Sequence, residues 1–356
     1  MKPEKLFNLF QLPPVKSESR YAWVDYAKGI AIILVVYRHL AYGLLASGVP
    51  LPHGVTATND MLYSFRMPLF FLLSGAFFSK SIAKRGINGV LYTKINTLLY
   101  PYLLWAIIQV SLQILFSEYA NSQRSAKDYL NIFLQPRTLD QLWYLFALFN
   151  VTILYLLVTL ALKEKKIGQL AVGLGLLGCA PYVQNFSALY DVALHYIFFA
   201  IGDLAARYFF REETQTWLSN PKHLLMALPV FGALQWYYLY HQQMNLYLFL
   251  PIALNGCLFV MLLSSWLAHT GKMEFLGTIG HYSLYIYLLH VSIAAQLRAV
   301  LLEMGFHQGL LLLLFLIPVA IYLSIIAYKG CMMLGLSFLF SGKTGAFKTV
   351  KKAGIS

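Results

Sequence analysis

Between Tyr26 and Leu45 the chain reads YAKGIAIILVVYRHLAYGLL, an apolar run about long enough to cross a bilayer that still holds a lysine, an arginine and a histidine. Lys28 and His39 are eleven residues apart. At about 100° per residue that is three turns plus about 20°, so both side chains share one helix face. Asp25 lies within about 60° of Lys28 on the same wheel. An ionisable group at membrane depth costs roughly 2.5–3.5 kcal/mol, so such a stripe belongs against a polar cavity rather than lipid. A histidine there can take or give a proton near neutral pH, which suits a general base acting on a hydroxyl. A nearby cation can hold a phosphate or steady developing negative charge. Arg38, about 100° from His39, either pairs with an acid elsewhere or reaches the cavity rim. The competing reading is a polar helix contact that fixes packing.

A second stretch, Ser64 to Gly75, reads SFRMPLFFLLSG. Arg66 enters the next apolar run about four residues from its outer end. That puts it at a depth similar to His39, which lies about two-thirds of the way along the first run in the same direction. Snorkelling to the interface is the competing reading for Arg66. Pro68 permits a kink, and Ser74–Gly75 permits close helix approach. Further along, Asp191 and His195 stand at i, i+4 and can meet, and Asp203 is spaced to pair with Arg207 in the same way. Asn255 suits a hydrogen bond to a neighbouring helix. The segment from Glu118 to Gln141 is the best candidate for a lid or acceptor-binding loop.

These residues need a scaffold of membrane helices, and the composition supplies one. Of the 356 residues 59% are hydrophobic and only 12% charged, half the charged share of a soluble domain. Mean hydropathy is +0.63. The expected fold is an all-α polytopic membrane bundle of about ten transmembrane helices, near 24–46, 61–79, 95–117, 142–162, 167–184, 190–210, 222–240, 244–268, 279–301 and 309–328. With that count, twenty Lys and Arg fall on one side and four on the other, so both termini are expected in the cytoplasm. The organisation expected is a cytoplasmic N-terminal segment (1–20), a transmembrane domain (21–340) and a basic cytoplasmic tail (341–356). The net charge of +13 is then explained by cytoplasmic loops, and no nucleic-acid-binding motif accompanies it. Cys179, Cys257 and Cys331 read as packing residues. No cleavable signal peptide is evident. The nine histidines are dispersed, without metal-ligand spacing, so no metal site is expected.

A basic residue ahead of a membrane histidine, followed by FRMPLFFLLSG, resembles the acyltransferase 3 family of multi-pass membrane acyltransferases. Tyr92–Thr93–Lys94 leading to Tyr100–Pro101–Tyr102, then Leu142–Trp143–Tyr144–Leu145, then His281 through His290 (HYSLYIYLLH), look like later landmarks of the same family. The likeness runs from about residue 20 to 328. The compact form looks most like the fucose 4-O-acetylase type of exopolysaccharide acetyltransferase. One departure is Lys28, where the family usually has arginine; lysine keeps the charge but loses the bidentate fork.

The resemblance implies acyl transfer, O-acetyl above all, from cytoplasmic acetyl-CoA to a sugar hydroxyl of an exopolysaccharide or its lipid-linked precursor. His39 matches the catalytic histidine and Arg66 the second-span arginine, with Lys28 and Asp25 as their helpers. Lys28, Lys84, Arg85 and Lys94 are the cations placed to meet CoA phosphates. His290, Trp143 and Tyr144 are the expected acceptor contacts. No cofactor is expected to be permanently bound. The expected partners are acyl-CoA, a glycan or lipid-linked oligosaccharide, membrane lipid and polysaccharide synthesis machinery, in a cell's inner membrane. Two other readings fit ten spans with buried charge. One is a transporter or flippase of a polar lipid or sugar, which should show matching broken helices in two halves. The other is an accessory subunit of a polysaccharide synthase, in which His39 and Arg66 would be dispensable.

Overall fold

The computed structural model describes residues 21–115, 125–163 and 165–342. It is all-helical, with no strand among the described residues. The N-terminal segment 1–20, the tail from 343 and the first part of the candidate lid lie outside the described residues. The helices in chain order are α1 (Ala22–Ala46), α2 (His53–Met61), α3 (Tyr63–Ala76), α4 (Phe78–Lys94), α5 (Tyr100–Leu115), α6 (Asp128–Leu134), α7 (Trp143–Ala161) and α8 (Lys166–Cys179). Then follow α9 (Ser187–Phe209), α10 (Glu212–Ser219), α11 (Pro221–Tyr240), α12 (Leu246–Thr270), α13 (Glu274–His281), α14 (Ser283–Glu303) and α15 (Gly309–Met333).

Eight helical stretches are long and apolar enough to cross a membrane: Ala22–Ala46, Phe78–Leu115, Pro136–Ala161, Lys166–Val183, Ser187–Phe209, Leu246–Thr270, Ser283–Glu303 and Gly309–Met333. The two other stretches expected as spans, α3 and α11, have 14 and 20 residues and fall outside that set. At about 1.5 Å per residue α3 rises only about 21 Å, short of a hydrocarbon layer of about 30 Å. It is nonetheless a core element, with most of its residues buried between α9, α12 and α1. α1 lies at the centre, in contact with α3, α12, α13, α14 and α15.

Local sequence explains the breaks. α1 ends in a Schellman turn: Gly48 takes φ +77, and Val49 N–H donates to Leu44 O at 3.0 Å. Gly86, at φ 67 and ψ 175, interrupts α4. The five residues Ile95–Leu99 form a π turn just before Tyr100–Pro101, where the proline ring cannot sit in a regular helix interior. α3 crosses α9 at two glycines. A Cβ on Gly75 would stand 2.0 Å from Phe199 O, and one on Gly202 would stand 2.0 Å from Leu72 O. The close approach expected of Ser74–Gly75 is thus made by Gly75.

Candidate functional site

The stripe on α1 faces empty space. Val35, Arg38, His39 and Tyr42 line a cavity of about 310 Å³, here the histidine cavity. α3 adds Tyr63, Arg66 and Met67, and the segment leading into α7 adds Arg137, Asp140, Gln141 and Trp143. Arg38, Tyr42, Tyr63 and Arg137 also line a side chamber of about 360 Å³, walled further by Asp60, Tyr190 and Tyr238.

Arg66 is fixed in place. It is 1% exposed. Its Nη1 donates to Leu34 O at 2.8 Å and to Asn59 Oδ1 at 2.9 Å, and its Nη2 donates to Asn59 O at 3.0 Å. A snorkelling side chain would reach solvent; this one ties α1, α2 and α3 together and lines the cavity. Tyr63 presents its ring to two guanidinium groups, Arg38 at 4.6 Å and Arg66 at 5.1 Å. Arg38 therefore reaches the cavity rim, stacked between Tyr63 and Tyr42.

Arg137 is held differently. Its Nε and Nη2 donate to Asp191 Oδ1 at 2.8 and 2.5 Å, and Trp143 and Tyr190 flank it at 5.0 Å each. Asp191 and His195 do meet, but through the Asp191 main-chain oxygen, bonded to His195 Nδ1 at 2.8 Å. The Asp191 carboxylate is taken by Arg137 instead. The described end of the candidate lid is a structured wall: the Tyr102 hydroxyl donates to Ile132 O, and Ser111 and Tyr129 hydroxyls bond at 2.7 Å.

Toward the start of α1 a second space of about 320 Å³, the lysine cavity, is lined by Lys28, Ile32, Ser74, Lys94, Tyr144 and Tyr287 among others. Tyr287 is a wall of both cavities, and its hydroxyl accepts from Tyr144 N at 3.3 Å. Lys28 bonds Asp25 Oδ1 at 3.4 Å. Lys28 and His39 do share a face, but eleven residues separate them by about 16 Å along the axis, so they line different cavities. The cations beside His39 are Arg38 and Arg66, not Lys28.

Of the expected CoA contacts, Lys28 and Lys94 line the lysine cavity. Lys84 and Arg85 are exposed and are not among its lining residues, although Arg85 Nη1 reaches Thr93 Oγ1 at 3.3 Å. The neighbours Trp143 and Tyr144 point apart, one into each cavity. His290 is 0% exposed and lines neither. It sits behind His39, with ring centroids 5.2 Å apart.

Asp203 corrects a sequence expectation. It does not pair with Arg207, whose guanidinium stacks on Tyr208 at 4.6 Å. Its carboxylate takes Lys166 at 3.1 Å, Ser79 Oγ at 2.5 Å and the Tyr155 hydroxyl at 2.9 Å. Ser79, Tyr155 and Lys166 come from three other helices and satisfy the buried acid better than one exposed turn of its own. Asn255 Oδ1 is buried without a hydrogen-bond partner, so the expected inter-helix bond is not made by that atom. Among the described residues no group of His, Cys, Asp and Glu is arranged to hold a metal ion.

A family model described as an acyltransferase domain, that of the acyltransferase 3 family, matches residues 21–329, most of the chain. The chain belongs to the acyltransferase 3 family. It is also similar to Nodulation protein NolL of Mesorhizobium japonicum, at 26% identity over 194 residues. That match covers 54% of this chain and 50% of the relative, so the chain spans about half the length of the curated relative it matches. No solved structure matches. Family membership and the apolar helices together make this a multi-pass membrane protein of an acyltransferase family. The transporter reading has no comparable support. Among the residues lining the histidine cavity, sequence reasoning did not single out Tyr63, and it reached Arg137 and Gln141 only as part of the segment named as a lid or acceptor-binding loop. Only its aromaticity near an apolar run hinted at Tyr63.

Proposed function

We propose that the protein is an O-acyltransferase of a cell's inner membrane, with ten crossings and both termini cytoplasmic, that moves an acetyl group from acetyl-CoA to a sugar hydroxyl. The observation that carries this reading is the pair of cavities that meet at Tyr287, with His39 on one side and two lysines on the other. The lysine cavity is the donor side: Lys28 and Lys94 meet CoA phosphates, and the thioester arm reaches past Tyr287 to His39. The histidine cavity and its side chamber are the acceptor side.

His39 takes the proton of the acceptor hydroxyl as its oxygen attacks the thioester carbonyl carbon. The tetrahedral oxyanion is steadied by Arg66, whose hydrogen bonds to Leu34 and Asn59 hold it rigid before the reaction starts. The carbon–sulfur bond then breaks, and the proton on His39 passes to the CoA thiolate. The products are the acyl ester and free CoA.

The cavity walls suit a hydroxyl-rich neutral ligand. Arg38, Arg66 and Arg137 are balanced by Asp60, Asp140 and Asp191, so charge alone does not demand an anion. Gln141 Oε1, on the wall, is a buried acceptor with no partner and fits a sugar hydroxyl donor. Tyr42, Tyr63, Tyr190 and Trp143 offer rings for a sugar to lie against. An exopolysaccharide repeat, free or lipid-linked, has this chemistry. The test is label transfer from labelled acetyl-CoA to extracellular glycan in membranes holding the native chain or His39→Ala. Label with the native chain and none with the variant, at equal abundance, supports the reading; equal labelling in both removes His39 from catalysis.

A further inference from the structure

His290 was expected to touch substrate, yet it lies in neither cavity. It is 0% exposed, and its Nδ1 faces two main-chain oxygens of its own helix, Ile286 at 2.8 Å and Tyr287 at 3.0 Å. Both are pure acceptors, so Nδ1 must carry the proton and donate it. Neutral imidazole has one N–H, so Nε2 is left as a lone-pair acceptor. That nitrogen is fully buried and has no hydrogen-bond partner. An orphaned acceptor costs free energy unless something uses it. The ring in front of it is His39, edge-on with centroids 5.2 Å apart and planes 63° apart. That separation fits a ring-to-ring N–H···N contact once His39 turns its N–H toward the orphan.

We infer that His290 is the positioning residue for His39. Resting on the acyltransferase reading above, its Nε2 accepts the N–H of His39 and so leaves the other His39 nitrogen, on the cavity side, as the base. The arrangement assigns to a neutral histidine the task that a carboxylate performs behind the histidine of a serine-protease triad. Arg38 and Arg66 line the cavity beside His39, and the carboxylate of Asp191 is already taken by Arg137. No proton crosses from His39 to His290 in this scheme; the contact selects a tautomer and an orientation. Helix α14 supplies the rigidity: the two carbonyls that lock Nδ1 lie one turn earlier in the same helix, so the ring cannot flip without breaking both bonds.

The test measures transfer from labelled acetyl-CoA to extracellular glycan by purified, reconstituted native protein, His290→Leu, His290→Gln and His39→Ala. Leucine fills the space without an acceptor, and glutamine returns an oxygen near the Nε2 position. The expected result is a fall in kcat of about a hundredfold for His290→Leu, the scale on which misplacing a reacting group by about an ångström acts. KM for acetyl-CoA is unchanged, and His290→Gln recovers most of the loss. A purely structural role would instead lower the amount of folded protein and leave the kcat of what remains intact. Native kcat in folded His290→Leu overturns the inference, as does a His290→Gln protein that is folded and no better than His290→Leu. No transfer by the native protein would overturn the acyltransferase reading itself; full activity in His39→Ala would remove His39 from catalysis and the positioning role with it, whereas an inactive His39→Ala with a fully active His290→Leu removes only the positioning role.

Discussion

At the scale of single residues, the site is a set of fixed cations around one histidine. Replacing Arg66 by alanine removes the guanidinium that donates to Asn59 and to the Leu34 carbonyl, and Asn59 is itself fully buried. Each unmet group costs about 1–3 kcal/mol, so Arg66→Ala is expected to lower thermal stability in detergent as well as activity. Arg66→Lys keeps the charge but not the fork, and should restore neither fully. For Arg137 the expectation is one of coupling. Arg137→Gln strands the buried carboxylate of Asp191, at the lower end of the roughly 3–5 kcal/mol for breaking a buried pair, because Arg137 is 36% exposed. Adding Asp191→Asn should recover part of that loss, read as a higher melting temperature for the double variant than for Arg137→Gln alone. His39 and Arg66 were legible in the sequence because a charge inside an apolar run is conspicuous. Arg137 and Gln141 were not, since they sit in a polar stretch where any residue type is ordinary. His290 was visible as a membrane histidine, but its place outside both cavities was not, because helix phase says nothing about which neighbour stands in front.

At the scale of elements, the apolar runs announced nearly every membrane helix. Two features escaped that reading. α3 was expected as a helix near 61–79, but its packing partner at the glycine crossing, α9, is set by residues far apart in sequence. Asp203 was assigned the nearest cation along its own helix, whereas a folded bundle offers Lys166, Ser79 and Tyr155 from other helices. The crossing gives a sharp expectation. Gly75→Leu or Gly202→Leu must force α3 and α9 apart, because a first carbon alone would already stand 2.0 Å from a backbone oxygen. Since α3 carries Arg66, the displacement should abolish acyl transfer. Limited proteolysis of either variant should cut within α3 or α9, where the native chain is protected.

At the scale of the whole molecule, two cavities toward opposite ends of α1 share a wall at Tyr287, and the proposed reaction needs a route past it. The orientation proposed above predicts which side each cavity opens to. In a chain freed of its three native cysteines, Lys94→Cys should react with a membrane-impermeant thiol reagent only in inside-out vesicles. Gln242→Cys, on the side chamber, should react only in right-side-out cells. Reversal of both would invert the assignment of donor and acceptor sides. The network around Asp203 also bears on how the chain enters the membrane. The stretch Lys166–Val183 is the least apolar of the eight, with mean hydropathy 1.2, and the Ser187–Phe209 stretch that follows carries Asp203. Neither is a good substrate for insertion alone, since each brings an uncompensated charge. Once both are present Lys166 and Asp203 neutralise one another, so the two helices should leave the translocation channel as a hairpin, late and together, and α8 synthesised without α9 should slip back to the aqueous side.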